Sequence, residues 1–283
     1  MQSTARSRLA AELRRLRDLS GVSGRKLAHL VSISQSKVSR IESGAVIPSL
    51  PEVTAWGRAL GAPEETLQQL TFLTKQAFTE VQPWRELLED QSHIQDEVGE
   101  QERRARRVRT FQSSVVPGLL QTADYARRVF ATYQPPYGEE EISAAVAARL
   151  NRQQLIFEPD RQFDFVITEG ALRWCPGPPR GLLAQWDRIA SIVTLDNVSI
   201  GLIPYHQEAV TLLSHSFVIY DDDDAEHSWV TLEMIHGTMT VSDPHDVMIY
   251  GQRWSSLRQM AVFGQDARDY LAVLADGVRT SAP

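Results

Sequence analysis

The residues whose types and spacing are best suited to chemistry lie in one stretch, Ser34-Gln35-Ser36-Lys37-Val38-Ser39-Arg40-Ile41-Glu42-Ser43-Gly44. Ser34 is suited to cap a helix, since its hydroxyl can accept an orphan N–H of the first turn. Val38 and Ile41 are the only large apolar residues, and three residues apart they share one inward face. Gln35, Ser36, Lys37, Ser39 and Arg40 are left outside, each able to donate to base edges or phosphates, and none is acidic. Gly44 stands where a helix end calls for a left-handed residue. A thin apolar seam under a face of donors suits the major groove of DNA.

Other groupings offer less. Asp221-Asp222-Asp223-Asp224, followed by Glu226 and His227, could ligate a hard cation. It lacks the Asp/Asn alternation and glycine of a calcium loop, and its position between two strands favours a solvated hairpin connection. His206, His215, His227, His236 and His245 are spread over separate elements without zinc-ligand spacing. Ser214-His215-Ser216 reads as strand, where neighbours point to opposite faces and cannot form a nucleophile–base contact. No Gly-x-Ser-x-Gly, P-loop or dinucleotide fingerprint occurs. Cys175, the only cysteine, precedes Pro176 in a Gly/Pro-rich turn, reads as structural, and rules out internal disulfides. The expectation is therefore a non-enzyme with no catalytic residue, metal or cofactor. Trp174, Trp186, Tyr205, Phe217, Trp229 and Trp254 could line a small-molecule pocket or form ordinary core.

The elements that must position the donor face can be read on either side of it. Leu9, Leu13 and Leu16 recur at helical spacing, closed by Ser20-Gly21. Ser23 caps a second helix with Leu27, Ala28, Leu30 and Val31 inward, and Ser32-Ile33-Ser34 forms the turn with Ile33 as a plug. After the donor helix, Ser49-Leu50-Pro51-Glu52 is a capping-box start with an early proline. Val53, Trp56 and Leu60 form that helix's stripe, and Leu67, Leu70, Phe72 and Leu73 build a fifth.

On these residues the chain resembles the Xre-type helix-turn-helix family over residues 9–61. The resemblance rests on Leu13-Arg14-Arg15-Leu16-Arg17, Leu27-Ala28, the stretch from Ile33 to Gly44, Pro48 and Ala59-Leu60-Gly61. It implies that Gln35, Ser36 and Arg40 read bases, with Ser34 and Lys37 placed for phosphates; Ser39, on the same outer face, completes the base-reading set. The family starts its second helix with a glutamine that clamps DNA, whereas this chain has Gly24-Arg25. Arg25 or Lys26 would then take over the phosphate contact.

Farther along, Phe111-Gln112-Ser113-Ser114-Val115-Val116-Pro117-Gly118-Leu119-Leu120-Gln121-Thr122 opens a second recognisable half. With Arg149-Leu150-Asn151-Arg152-Gln153, Thr168-Glu169-Gly170, Val198 to Pro204 and Ser216 to Ile219, it resembles a domain of unknown function. That domain follows Xre-type modules in many actinobacterial regulators, WhiJ-like proteins among them. The resemblance implies a small companion protein bound by residues 111–283.

Residue patterning makes this half α+β. Ile142, Val146 and Leu150 mark a helix, Phe163, Phe165 and Ile167 a strand, and Trp186, Ile189 and Val193 a helix over 182–193. Strands near 197–203, 215–221, 228–234 and 238–242 suggest a small antiparallel sheet. Helices with Val247, Tyr250, Trp254 and Leu257, then Tyr270, Leu271 and Leu274, close the chain. Between the halves, Trp84, Leu87 and Leu88 precede a run ending Glu102-Arg103-Arg104-Ala105-Arg106-Arg107-Val108-Arg109. That run is either a second phosphate patch or a solvated helix whose arginines are offset by Glu97, Glu100 and Glu102.

The expected architecture is thus a multidomain, mainly α chain. An all-α five-helix helix-turn-helix domain (1–80) and a charged helical linker (81–110) precede an α+β regulatory domain (111–283) with its small antiparallel sheet. Residues 1–80 carry 11 Lys and Arg against 7 Asp and Glu, a balance of +4; the rest carry 18 against 29, a balance of −11. A basic module on an acidic body is the asymmetry of a protein that touches phosphates with one domain. No apolar run is long enough to span a membrane, and the N-terminus lacks a signal-peptide core, so a cytoplasmic, nucleoid-associated protein is expected. Its expected partners are double-stranded DNA, a second copy of itself, the companion protein, and a small-molecule effector if the aromatic-rich half is a sensor.

Overall fold

The computed structural model describes residues 5–84, 93–134, 136–222 and 228–281. The chain forms two compact units: Met1–Val81 with Met239–Asp243, and Gln82–Thr238 with Pro244–Pro283.

The first unit holds five helices, α1 (Ala5–Ser20), α2 (Gly24–Leu30), α3 (Gln35–Glu42), α4 (Leu50–Ala59) and α5 (Glu64–Ala77). Their starts lie where local chemistry places them. Ser23, Ser34 and Ser49 each accept a backbone N–H three residues on, and Glu52 returns the bond to Ser49. Leu9, Leu13, Leu27, Val38, Ile41, Val53, Trp56 and Leu70 are fully buried in one core. Two apolar residues expected inside lie elsewhere: Leu30 is 49% exposed and Phe72 60%. Leu30 ends α2, where Leu27, Ala28 and Val31 already fill the inward face.

The second unit contains α6 (His93–Arg104), α7 (Ala123–Ala131), α8 (Glu139–Arg152), α9 (Glu169–Arg173), α10 (Gly181–Ile192), α11 (Pro244–Gln259) and α12 (Gly264–Ser281). The strands are β1 (Thr79–Pro83), β2 (Arg107–Gln112), β3 (Gln162–Thr168), β4 (Val198–Ile203), β5 (Phe217–Asp221), β6 (Trp229–Met234) and β7 (Gly237–Val241). They form one sheet in the order β1-β7-β6-β5-β2-β3-β4.

The two-part, mainly helical fold class is as the sequence predicts, but the sheet is larger than expected and mixed. β2 pairs parallel with β3, β3 parallel with β4, and β5 antiparallel with both β2 and β6. Helical crossovers carry the chain between the parallel strands, as parallel pairing requires. Phe163, Phe165, Ile167, Ile200 and Leu202 pack with Trp186, Ile189 and Leu271 in the main core.

The arginine run is helical only as far as Arg104, with Arg103 and Arg104 exposed. α6 ends at Arg104, and Arg107 to Gln112 form a strand in the middle of the sheet, so the segment expected as a helical linker is partly sheet. Arg107 Nε donates to Asp164 Oδ2 at 2.5 Å, and Arg109 binds Asp221 through two bonds of 2.7 and 2.6 Å. Glu102 is buried against Arg152 on α8, and the charge of neighbouring Arg103 acts on it as well. Arg104 lies over the Trp229 ring at 5.0 Å. Trp186, Phe217, Trp229 and Trp254 are buried, whereas Trp174 and Tyr205 are exposed.

Ser214 and His215 precede β5 rather than joining it; His215 Nε2 meets Tyr250 Oη at 3.3 Å and Ser216 Oγ meets Ser113 Oγ at 3.1 Å. Leu87, Leu88, Asp223, Asp224, Glu226 and His227 lie outside the described residues. Among the described residues no cluster of His, Cys, Asp or Glu is arranged to hold a metal, and no helix is long and apolar enough to cross a membrane.

Candidate nucleic-acid interface

The donor face is built from α2, the turn and α3. Ser23 Oγ accepts from Lys26 N, setting the start of α2 with Arg25 and Lys26 exposed beside it. The turn is tight: Ser32 adopts φ 56°, and Ile33 N donates to Ala28 O at 3.0 Å. Ser34 Oγ then accepts Lys37 N at 3.1 Å and lies 3.0 Å from Ser36 Oγ. Val38 and Ile41 are 2% and 1% exposed, while Gln35, Ser36, Ser39 and Arg40 are all exposed. Positions 35, 36, 39 and 40 share one helix face. The four expected base readers therefore stand together, on the side of α3 away from the core.

Both ends of this helix are fastened. At its start, Lys37 Nζ reaches Glu52 Oε1 on α4 at 2.7 Å, so the lysine expected at a phosphate is tied to a carboxylate here. Burial alone pushes the Glu52 carboxyl up; hydrogen bonds from Lys37 and Ser49, with the charge of Lys37, outweigh it and hold Glu52 below the usual carboxylate range.

At the far end, Arg17 of α1 grips Glu42 with two bonds, Nε to Oε1 at 2.5 Å and Nη2 to Oε2 at 3.0 Å. This fork-to-fork geometry gives direction as well as attraction. The Glu42 bond leads in raising the Arg17 guanidinium above its ordinary value, against the opposing effect of burial. Gly44 takes φ +75°, and Arg6 donates to the carbonyls of Gly44 and Ala45 at 2.5 Å each.

These fastenings make the face electrostatically simple. From Ser23 to Arg40 the chain carries Arg25, Lys26, Lys37 and Arg40 and no acidic residue. The nearest acid in sequence beyond it, Glu42, is neutralised by Arg17. Arg6, Arg17, Glu42 and Glu52 are the positioning residues that local spacing did not reveal, because Arg6 and Arg17 act across 25 to 39 residues of chain. Only Glu52 had a readable signal, its place three residues after Ser49, and that signal reported the cap rather than the lysine.

At Gly24, where the Xre-type family carries glutamine, an added Cβ would meet only Val38 Cγ1 at 3.7 Å, an ordinary contact. The glycine is not imposed by packing.

Known proteins bear on both units. No curated protein matches the chain. Among solved structures, one described as "Structure of TrmBL2, an archaeal chromatin protein, shows a novel mode of DNA binding" is similar at 10% identity and a TM-score of 0.30. That likeness covers 85% of this chain and 87% of that one, and a score so low carries no weight for fold or function. Residues 8–70 match a helix-turn-helix domain, the stretch that contains all the donor-face geometry above. Residues 95–272, more than half of the chain, match the domain of unknown function DUF5753. The chain thus belongs to the DUF5753 family, with a DNA-binding helix-turn-helix domain ahead of the family's own domain.

Proposed function

We propose that the protein is a sequence-specific transcriptional regulator of the Xre type that reads DNA with the exposed face of α3. The observation that carries this reading is the acid-free set Gln35, Ser36, Ser39 and Arg40, held outward over buried Val38 and Ile41. Arg or Gln pairing to purine edges supplies discrimination of about 1–3 kcal/mol per good contact. Ser34, Lys37, Arg25 and Lys26 serve the phosphates. One such module is a small interface, so specific binding calls for a homodimer on a pseudo-palindrome with half-sites about one helical turn apart. Residues 1–80 act as the DNA-binding part and 111–283 as the regulatory part, which also takes in α6 and β2 from the 81–110 segment. The setting is the nucleoid of a cytoplasm, in a WhiJ-like, actinobacterial context.

The regulatory half receives its signal from a small partner protein. Val210, Leu212 and Leu213, on the segment between β4 and β5, are 56%, 74% and 44% exposed and offer apolar surface for one. The alternative is a small-molecule sensor, for which the exposed Trp174 and Tyr205 would be the aromatic contacts.

Selection of bound genomic fragments with the full-length protein, followed by Arg40→Ala and Lys37→Ala, tests the DNA reading. Arg40→Ala should weaken the selected site far more than random DNA, while Lys37→Ala should weaken both and flatten the salt dependence. Equal losses for the two variants on both DNAs would overturn Arg40 as a base reader.

A further inference from the structure

Three arginines of the second unit gather at one place in its interior. Arg149 and Arg152 on α8 are 6% and 9% exposed, and half-buried Arg188 of α10 stands nearby. Arg149 and Arg152 lie against the turn that carries Gly118 and Gln121, and Arg188 joins it through Gln153. Arg149 Nη1 donates to Gln121 Oε1 at 2.7 Å, and its guanidinium lies 4.1 Å over the Phe130 ring. Arg188 Nη2 donates to Gln153 Oε1 at 2.7 Å, and Gln153 Nε2 donates in turn to the carbonyls of Gly118 and Gln121. Arg152 contacts Gln95 Oε1 at 3.1 Å and the Glu102 carboxylate at 3.0 Å.

Among the described residues Glu102 is the only carboxylate in contact with the three, and Arg188 has none. Glu233 acts on Arg149 only at range. Burial pulls both Arg149 and Arg188 below the ordinary arginine value; at Arg149 the Tyr133 hydroxyl opposes this and Arg152 adds to it.

Two further observations single out this place. The Nε groups of Arg149, Arg152 and Arg188 are buried without a hydrogen-bond acceptor; the Arg152–Glu102 approach is a charge contact without the angle of a hydrogen bond. Native proteins seldom leave such donors unmet, and a missing water or ion is a standard reason. Gly118 lies against the guanidinium groups: a Cβ on it would be 2.8 Å from Arg152 Nη2 and 3.4 Å from Arg149 Nε, so a side chain there would push the arginines aside. Gly118, Gln121, Arg149, Arg152 and Gln153 come from the two stretches singled out in the sequence, Pro117 to Thr122 and Arg149 to Gln153; Arg188 joins them from α10.

We propose that this cluster binds a small phosphate-type oxyanion, entered where Gly118 and Arg188 are half-buried. Several guanidinium forks approaching from different helices suit a group with three or more acceptor oxygens better than a single carboxylate. The site does not depend on DNA binding, and its test does not use DNA.

Full-length protein is titrated calorimetrically and melted with inorganic phosphate, chloride being exchanged to hold ionic strength constant. Glycerol phosphate serves as a simple monoester in a parallel arm. The expected result is saturable binding and a melting temperature raised by roughly 5–10 °C at a hundredfold excess over Kd. Arg188→Gln should abolish both responses while melting in chloride at or above the wild type, because it removes a half-buried charge that has no carboxylate partner among the described residues. Tighter binding of the monoester makes the natural ligand an ester; equal binding makes free phosphate sufficient. No saturable response up to millimolar phosphate overturns the proposal and leaves water as the acceptor. An equal response in Arg188→Gln also overturns it, placing the phosphate elsewhere on the surface.

Discussion

Glu52→Gln separates two roles held by one side chain. Glu52 Oε2 accepts from Ser49 N at 2.9 Å and Ser49 Oγ at 3.1 Å, and an amide oxygen can do the same, so the capping box persists. Glu52 Oε1 takes the Lys37 ammonium at 2.7 Å, and an amide cannot supply that charge. With the two side chains 31% and 19% exposed, the pair contributes about 1 kcal/mol, so stability falls by no more than that.

For DNA the sign reverses. A lysine that must leave a carboxylate to meet a phosphate gives up the same ~1 kcal/mol, so removing the carboxylate strengthens binding about fivefold. The gain should be equal on specific and random duplexes, with the slope of log K against log salt steeper by up to about 0.9. Fluorescence anisotropy at several salt concentrations reads both quantities. Unchanged affinity and slope would refute the reasoning and remove Lys37 from the phosphate contacts. The acid limb gives an independent check. The folded Glu52 carboxyl titrates below its ordinary value of 4.5, so its contribution is complete above that pH and is lost as pH falls through the folded value. Glu52→Gln should flatten that limb of the stability curve.

Two other substitutions probe positioning and the sheet. Arg17→Met strands Glu42 in a pair whose side chains are 17% and 13% exposed, and should cost about 2 kcal/mol by denaturant unfolding, between the values for exposed and buried pairs. Adding Glu42→Leu should return part of that loss, and a single-variant cost below about 0.5 kcal/mol would make the clamp incidental. In Gly237→Ala the new Cβ meets the Gln82 carbonyl oxygen at 2.4 Å, a backbone atom that cannot swing away. A loss of about 2–3 kcal/mol is expected from thermal melts, and an unchanged melting temperature would mean the strand end relocates freely.

The first unit was readable because its signals are local. Ser34 and Lys37, or Ser49 and Glu52, lie within one helical turn, and Leu9 and Leu13 repeat at the helical period. β2 was not readable, because Arg107 and Arg109 overlay the alternation of buried Val108 and Thr110 and make a strand look like a charged helix. What makes those arginines acceptable in mid-sheet is Asp164 and Asp221, 57 and 112 residues away. Strand direction escaped for a related reason: alternation marks a half-buried strand but does not say which way its neighbour runs. The outer face of α3 could be read from its residue types, whereas the hold on its ends could not, since Arg6 and Arg17 belong to another helix. The arginine cluster around Gly118 was visible only as two distinctive stretches with no chemistry attached.

The place of β2 between β3 and β5 also sets an order of events in time. The helices α1 to α5 find all their core partners within the first 80 residues, since even the longest-range packing, α1 on α5, closes at Ala77, and shorter-range contacts form faster. β2 instead waits for partners: its antiparallel neighbour ends at Asp221, about 110 residues after Gln112. At translation rates of 5–20 residues per second that is a delay of roughly 5–20 s. During synthesis, the helices that present the DNA-facing residues can therefore be in place while β2, an interior strand of the sheet, still has one edge open. The charged Arg107 and Arg109 along that strand act as gatekeepers against mispairing in the interval.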